Sequence, residues 1–217
     1  MYLIKTPTLV QRLFPSLVWR MPSSSPVIYL TFDDGPIPEV TPWVLDQLDK
    51  FNAKATFFCV GDNVRKHPEV YQDLLERGHG TGNHTYNHLD GWGSHNLGYW
   101  ENVKRCEATF PSPLFRPPYG RLRPRQVNLL QKDYHIIMWD VLSGDFDQKL
   151  DGEQCLQNVT ENVRSGSIVV FHDSLKAWDR LKVALPQTLD YFSRRGFAFK
   201  AIEEKALVAE EAVCRVA

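Results

Sequence analysis

The sequence predicts an α/β protein: a parallel sheet with helices packed outside it, in a single domain. Two observations carry that prediction. Apolar runs near 27–32, 53–60, 79–83, 114–116, 135–141, 167–171 and 197–200 alternate with helical stretches near 40–51, 68–77, 95–110, 123–133, 152–164 and 178–195. Seven βα-type units in series are what a parallel sheet requires. The 217 residues, 43% hydrophobic and 12% aromatic, suffice for one packed core, and no repeat, low-complexity tract or linker divides the chain after Pro26. The pattern leaves open whether the sheet is open or closed into a barrel. In both architectures chemistry gathers at the C-terminal ends of the strands.

Residues 1–25 read as an N-terminal extension. Leu3, Val10, Leu13, Leu17 and Val18 fall near helical spacing, with Lys5, Arg12 and Arg20 elsewhere on the wheel and Pro15 interrupting. The expectation is a segment docked on the domain, with an interfacial membrane anchor as the alternative. It lacks the uninterrupted apolar core and cleavage site of a secretory signal, and no stretch approaches a membrane span. A net charge of −1 gives no electrostatic reason to expect nucleic acid. Cys59, Cys106, Cys155 and Cys214 are too scattered for a zinc ribbon or redox motif; Cys59 reads as a buried thiol and Cys214 as part of a loose tail over 205–217. Together these features suggest a cytoplasmic protein, or one held peripherally at a membrane.

The first strand, "VIYLTFDDGP", ends in Asp33 and Asp34. Asp-Gly-Pro is also turn chemistry, and among fifteen aspartates one adjacent pair is unsurprising. As a functional pair they need a partner, because neighbouring carboxylates repel unless a cation or proton separates them. The third unit supplies His84 and His88 in "GNHTYNH", four apart, so one helical turn would aim both imidazoles the same way. Two histidines and a carboxylate form a common divalent-metal set with an open position for water. "FRPPYG", "MWDVLSGDF" and "IVVFHDS" each add a charged or titratable group at the expected rim.

TFDDGP, HTYNH, RPPYG, WDVLSGDF and VVFHDS, in that order, resemble the five motifs of the polysaccharide deacetylase (NodB-like) carbohydrate esterase family, over about residues 27–200. The resemblance implies a distorted (β/α)7 barrel over 26–204 and metal-dependent removal of N- or O-acetyl groups from a carbohydrate. It implies that Asp33 is the catalytic base, that Asp34, His84 and His88 hold the metal, and that Arg116 orients Asp33. It assigns the backbone N–H of Tyr119 to the oxyanion, His172 to the general acid, and Val170 to the acetyl methyl. Zinc is the first expectation, with cobalt, nickel or manganese as alternatives. The fourth motif departs: the usual Asp-x-x-x-Trp aligns with Leu142 and Phe146, with Asp145 and Trp139 nearby as candidate substrate-binding residues.

Other residues carry weaker expectations. His67, His79, His95 and His135 have no motif context, and Arg121, Arg123 and Arg125 read as a solvated loop rather than an anion site. Of Tyr86, Trp92, Trp100 and Trp178, only Trp92, between glycines, is expected to be exposed enough to touch a ligand. His172-Asp173-Ser174 is not a hydrolytic triad, since adjacent strand residues point apart and no Gly-x-Ser-x-Gly occurs. Two alternatives to a sugar deacetylase remain: a related metal amidase acting on a small amide or cyclic imide, and a carbohydrate-binding barrel without turnover.

Overall fold

Strand β1 (Val27–Asp33) is buried at all seven positions, and the two faces of its pleat have different tasks. Ile28, Leu30 and Phe32 face the helices in the main apolar core. On the alternate positions, Val27 and Tyr29 join a second cluster with Met21, Ile137 and Ile202. Thr31 and Asp33 continue that inner face, so period-2 alternation carries the strand from apolar packing into a polar end.

The computed structural model describes residues 2–207, so Cys214 and the rest of the expected tail lie outside the described residues. In chain order its elements are α1 (Thr8–Leu13), β1, α2 (Thr41–Asp49), β2 (Thr56–Cys59), α3 (Gly61–Lys66), α4 (Pro68–Glu76), β3 (Gly80–Asn83), α5 (Asn96–Glu107), β4 (Leu114–Phe115), α6 (Pro124–Leu130), β5 (His135–Ile136), β6 (Val141–Leu142), α7 (Gly152–Thr160), β7 (Ile168–His172), α8 (Trp178–Ser193) and β8 (Ala198–Phe199). The sheet runs β5-β4-β3-β2-β1-β7-β6, with β8 on the start of β1, and its strand ladders are all parallel. This curled parallel sheet is the distorted (β/α)7 barrel. Leu207, at the start of the expected tail, is buried in the second cluster. No helix among the described residues is long and apolar enough to cross a membrane.

Two elements differ from expectation. Helix α3 occupies Gly61–Lys66, where no helix was expected. The strand expected over 135–141 is broken into β5 and β6, which lie at opposite edges of the sheet; between them the carbonyls of Ile137 and Met138 accept hydrogen bonds from the Arg116 guanidinium at 3.2 and 3.0 Å.

The N-terminal extension lies along this break. Val18 bridges Ile137 in parallel, its N–H donating to Ile136 O and its carbonyl accepting from Met138 N, while Lys5 bridges Val141 antiparallel. The anchor is Asp140, whose side chain has no exposed surface, accepts hydrogen bonds from Lys5 Nζ at 2.8 Å and Ser167 Oγ at 3.1 Å, and forms an ion pair with Arg20 Nε at 3.3 Å. A buried carboxylate stripped of its cations is strongly unfavourable. Replacing both Lys5 and Arg20 by Met is therefore expected to cost about 3–5 kcal/mol in urea unfolding, with part recovered by adding Asp140→Asn. An unchanged unfolding midpoint in the double variant would show that the extension is not part of the stable fold.

Candidate active site

At the end of β1, Asp33 pairs with Arg116, whose Nη1 lies 2.7 Å from Asp33 Oδ1 and 2.7 Å from Thr31 Oγ1. Arg116 is wholly buried, and its guanidinium sits 4.0 Å from the Phe58 ring centroid, against the flat face an arginine can stack on. Burial pushes this guanidinium down and the Asp33 charge pushes it up. Five contacts, to Asp33, Thr31, Ile137 O, Met138 O and Phe58, hold it in place.

Asp34 does not continue the strand. Its φ of 85° places it in the left-handed region, which breaks the pleat's alternation and frees its carboxylate from the β1 pattern. Oδ1 lies 3.1 Å from His88 Nε2 and 3.8 Å from His84 Nε2. The three ligand atoms fall within 4.8 Å of one another, and Asp34 Oδ1 is a buried oxygen without a hydrogen-bond partner. His84 Nδ1 donates to the Arg116 carbonyl at 2.8 Å, which fixes the tautomer and leaves Nε2 as a lone pair aimed at Asp34. Burial pushes His84 down to about 4 against the Asp33 and Asp34 charges, so it is neutral at pH 7. Burial raises Asp34, but the close approach of His88 and the charge of His172 outweigh it and hold the carboxyl below its usual range. An orphaned acceptor facing two imidazole nitrogens suits a divalent cation.

The expected helical turn between the histidines is absent. Residues 84–88 form a loop with Thr85 at φ 65° and His88 at φ 57°, tied down by Thr85 N donating to Asn83 Oδ1 and Leu89 N to Thr85 Oγ1. The imidazoles converge nonetheless, with centroids 5.1 Å apart. Together with Tyr119 at φ 60°, four left-handed non-glycine residues gather here. Each costs about 1 kcal/mol or more, and such residues cluster where function over-determines the backbone.

On the far side, β7 ends at His172. Its Nδ1 lies 2.7 Å from Asp145 Oδ1, and its backbone N–H donates to Asp145 Oδ2 at 2.8 Å. Burial works against the imidazolium, but the charge and hydrogen bond of Asp145, with Asp34 and Asp33 beyond, outweigh it and push His172 up to about 9.

A carboxylate paired with arginine, a second carboxylate with two imidazoles, and a protonated histidine thus share one strand-end rim. The polysaccharide deacetylase family profile matches residues 20–136. The chain belongs to the polysaccharide deacetylase family. It is 32% identical over 195 residues to a peptidoglycan-N-acetylglucosamine deacetylase of Bacillus cereus, covering 87% of this chain and 92% of that protein. It is 29% identical over 203 residues to a chitooligosaccharide deacetylase of Azorhizobium caulinodans, covering 84% and 96%. A solved peptidoglycan N-acetylglucosamine deacetylase, in complex with 4-naphthalen-1-yl-N-oxidanyl-benzamide, superposes with a TM-score of 0.82 at 26% identity, covering 91% of this chain and 95% of that one. Two further relatives are longer proteins, of which the chain spans 58% and 38%.

In this polysaccharide deacetylase the altered fourth motif has a structural reading. Asp145 is fully buried with both oxygens on His172, so it acts on the histidine and does not line a groove, contrary to the expectation that it would touch substrate. Phe146 turns its ring edge to His172 at 5.3 Å. Val170, on the His172 face of β7, is 1% exposed. Trp139 is half-buried between the second cluster and a third one that includes Tyr99, Phe115 and Met138, its ring under the Gly120 turn. Tyr119 sets its ring edge against His88 at 4.7 Å, and Trp92 is 59% exposed. A cleft of ≈ 470 Å³ is lined by Asp34, His88, Asp62, Asn63, Asn87 and Leu175 among others.

Three supporting residues went unforeseen. Thr31 holds Arg116 and is two positions before Asp33, so the period-2 pattern could have found it. Asn63 Nδ2 donates to Asp34 O at 2.8 Å from the unexpected helix α3. Asp173 points away from His172 and clamps the turn, accepting from Gly35 N at 3.1 Å and Thr41 Oγ1 at 2.6 Å. A Cβ on Gly35 would lie 1.9 Å from Asp173 Oδ2. Gly35→Ala is therefore expected to lower both thermal stability and divalent-metal content, and adding Asp173→Ala should restore part of each. Normal metal content in Gly35→Ala, by elemental analysis, would show that the clamp does not position Asp34.

Proposed function

We propose that this protein is a metal-dependent hydrolase that removes acetyl groups, N-acetyl first, from amino sugars in a carbohydrate. The observation that carries the reading is the separation of the two adjacent carboxylates, Asp33 onto Arg116 and Asp34 onto His84 and His88. Asp34, His84 and His88 would hold a divalent cation, zinc being our first choice, which would supply Lewis-acid polarisation of the acetyl carbonyl and a water of lowered pKa. Asp33, steadied by Arg116, accepts the proton of the attacking water. The backbone N–H of Tyr119 is assigned to the developing oxyanion. His172, kept protonated by Asp145, gives its proton to the departing amine. A barrel that only bound carbohydrate would have no use for a buried arginine on one carboxylate and a buried aspartate behind a histidine.

The direct test is acetate release from N-acetylglucosamine oligomers, peptidoglycan, acetylxylan and simple amides, after chelation and reloading with each metal. Release from amino sugars that returns with metal supports the reading. Release from simple amides alone would move the protein to the amidase alternative. The chain's place in the cytoplasm or at a membrane face belongs to the same proposal. It is supported by the free buried thiols Cys59, Cys106 and Cys155 and by the exposure of Leu9, Leu13 and Phe14 around α1.

His84→Ala should lose both metal and activity, whereas Asp33→Asn should keep the metal and lose at least about a hundredfold in kcat, because an amide cannot accept the proton. Full metal occupancy in His84→Ala, or normal turnover in Asp33→Asn, would reassign these residues. Asp145→Asn removes the charge that raises His172, so the basic limb of the pH–rate profile should move to lower pH while metal content stays constant. An unmoved limb would mean that His172 is not the proton donor.

A further inference from the structure

We infer that Tyr2, in the N-terminal extension, is a positioning residue for the reaction: its ring backs Phe146 and so holds the loop that carries Asp145 against His172. The inference rests on the deacetylase reading only for its kinetic consequence, since the contacts stand without it. Strand β6 ends one side of the sheet, and an edge strand leaves its outer backbone groups open to a further strand. The extension takes that place. Lys5 bridges Val141 antiparallel, Leu142 N donates to Ile4 O at 2.8 Å, and Thr6 N donates to Asp140 O at 2.9 Å. That register carries Tyr2 opposite Gly144, where the chain turns into Asp145 and Phe146. A Cβ on Gly144 would lie 3.4 Å from the Tyr2 hydroxyl oxygen.

Tyr2 makes two contacts on that loop. Its ring centroid is 4.9 Å from that of Phe146, and its hydroxyl donates to Asp147 Oδ2 at 2.9 Å. Burial and the Asp147 carboxylate push the phenol up, so the O–H remains a donor. Phe146 in turn packs on His172 with ring centroids 5.3 Å apart, so two ring contacts join Tyr2 to the proton donor. The helices hold the earlier part of the loop: Arg180 Nε, in α8, donates to Asp145 O at 2.6 Å, and Asn158 Nδ2, in α7, donates to Ser143 O at 2.9 Å. These bonds fix the backbone at 143 and 145, whereas Phe146 and Asp147 meet Tyr2. Asp145 keeps both oxygens on His172 only while the loop stays closed over the strand end. An aromatic ring behind Phe146 disfavours its opening, a local event separate from global unfolding.

The experiment compares wild type, Tyr2→Ala and Tyr2→Phe as full-length, metal-loaded proteins. By NMR, hydrogen exchange of the His172 amide, whose acceptor is Asp145 Oδ2, should speed about fivefold in Tyr2→Ala and return largely to the wild-type rate in Tyr2→Phe, with the rest of β7 unchanged. On N-acetylglucosamine oligomers Tyr2→Ala should lower kcat about fivefold at constant KM, whereas turnover of para-nitrophenyl acetate, whose phenolate leaves without a proton, should hold. An unchanged His172 amide overturns the inference. Exchange as fast in Tyr2→Phe as in Tyr2→Ala overturns the ring path through Phe146. Equal speeding throughout β7, or an equal loss on the ester, reduces Tyr2 to support of the fold and overturns its positioning role. If wild type releases no acetate yet Tyr2→Ala still loosens the His172 amide, the deacetylase reading falls and the positioning stands. Acetate release with unchanged exchange leaves that reading and removes the inference.

Discussion

The Arg116–Asp33 pair is the interaction on which the site depends. Two neighbouring aspartates at a strand end would compete for any cation near them, and arginine settles the competition by occupying one. Its reach explains features well away from it: the threonine at position 31, the phenylalanine at 58, and the carbonyls of Ile137 and Met138, which turn inward to the guanidinium between β5 and β6. The N-terminal extension then lies along the gap, and the buried Asp140 holds it there through Lys5 and Arg20.

Strain is concentrated in the same place. Asp34, Thr85, His88 and Tyr119 all adopt backbone conformations that side chains disfavour, and each lies in a loop at a strand's carboxyl end. Packing behind them supplies the restraint: Asp173 and Thr41 beneath the Gly35 turn, Asn83 behind Thr85, and Asn63 on the Asp34 carbonyl. The left-handed residue at 34 answers how adjacent strand positions can face one site, since an extended Asp34 would point away from Asp33.

Much of this was legible in the sequence, and what was not has a physical cause. Alternating apolar runs located the strands because buried parallel strands have a continuous apolar signature, and residues 27–33 were placed to within one position. The spacing of His84 and His88 suggested convergence for the wrong reason, as left-handed turns, not a helix, bring the rings together. The role of Asp145 was obscured because its partner, His172, is 27 residues away and joined to it only by the pairing of β6 with β7. Helix α3 is six residues long, too short for periodicity to declare itself. At the break between β5 and β6 the chain passes from one edge of the sheet to the other, which no local pattern encodes.

The most direct test is a crystal structure of the protein grown with a divalent cation whose anomalous signal identifies it. The account predicts one cation held by Asp34, His84 and His88, with Asp33 still on Arg116 and making no bond to the ion. A cation bridging Asp33 and Asp34, with Arg116 displaced, would contradict it.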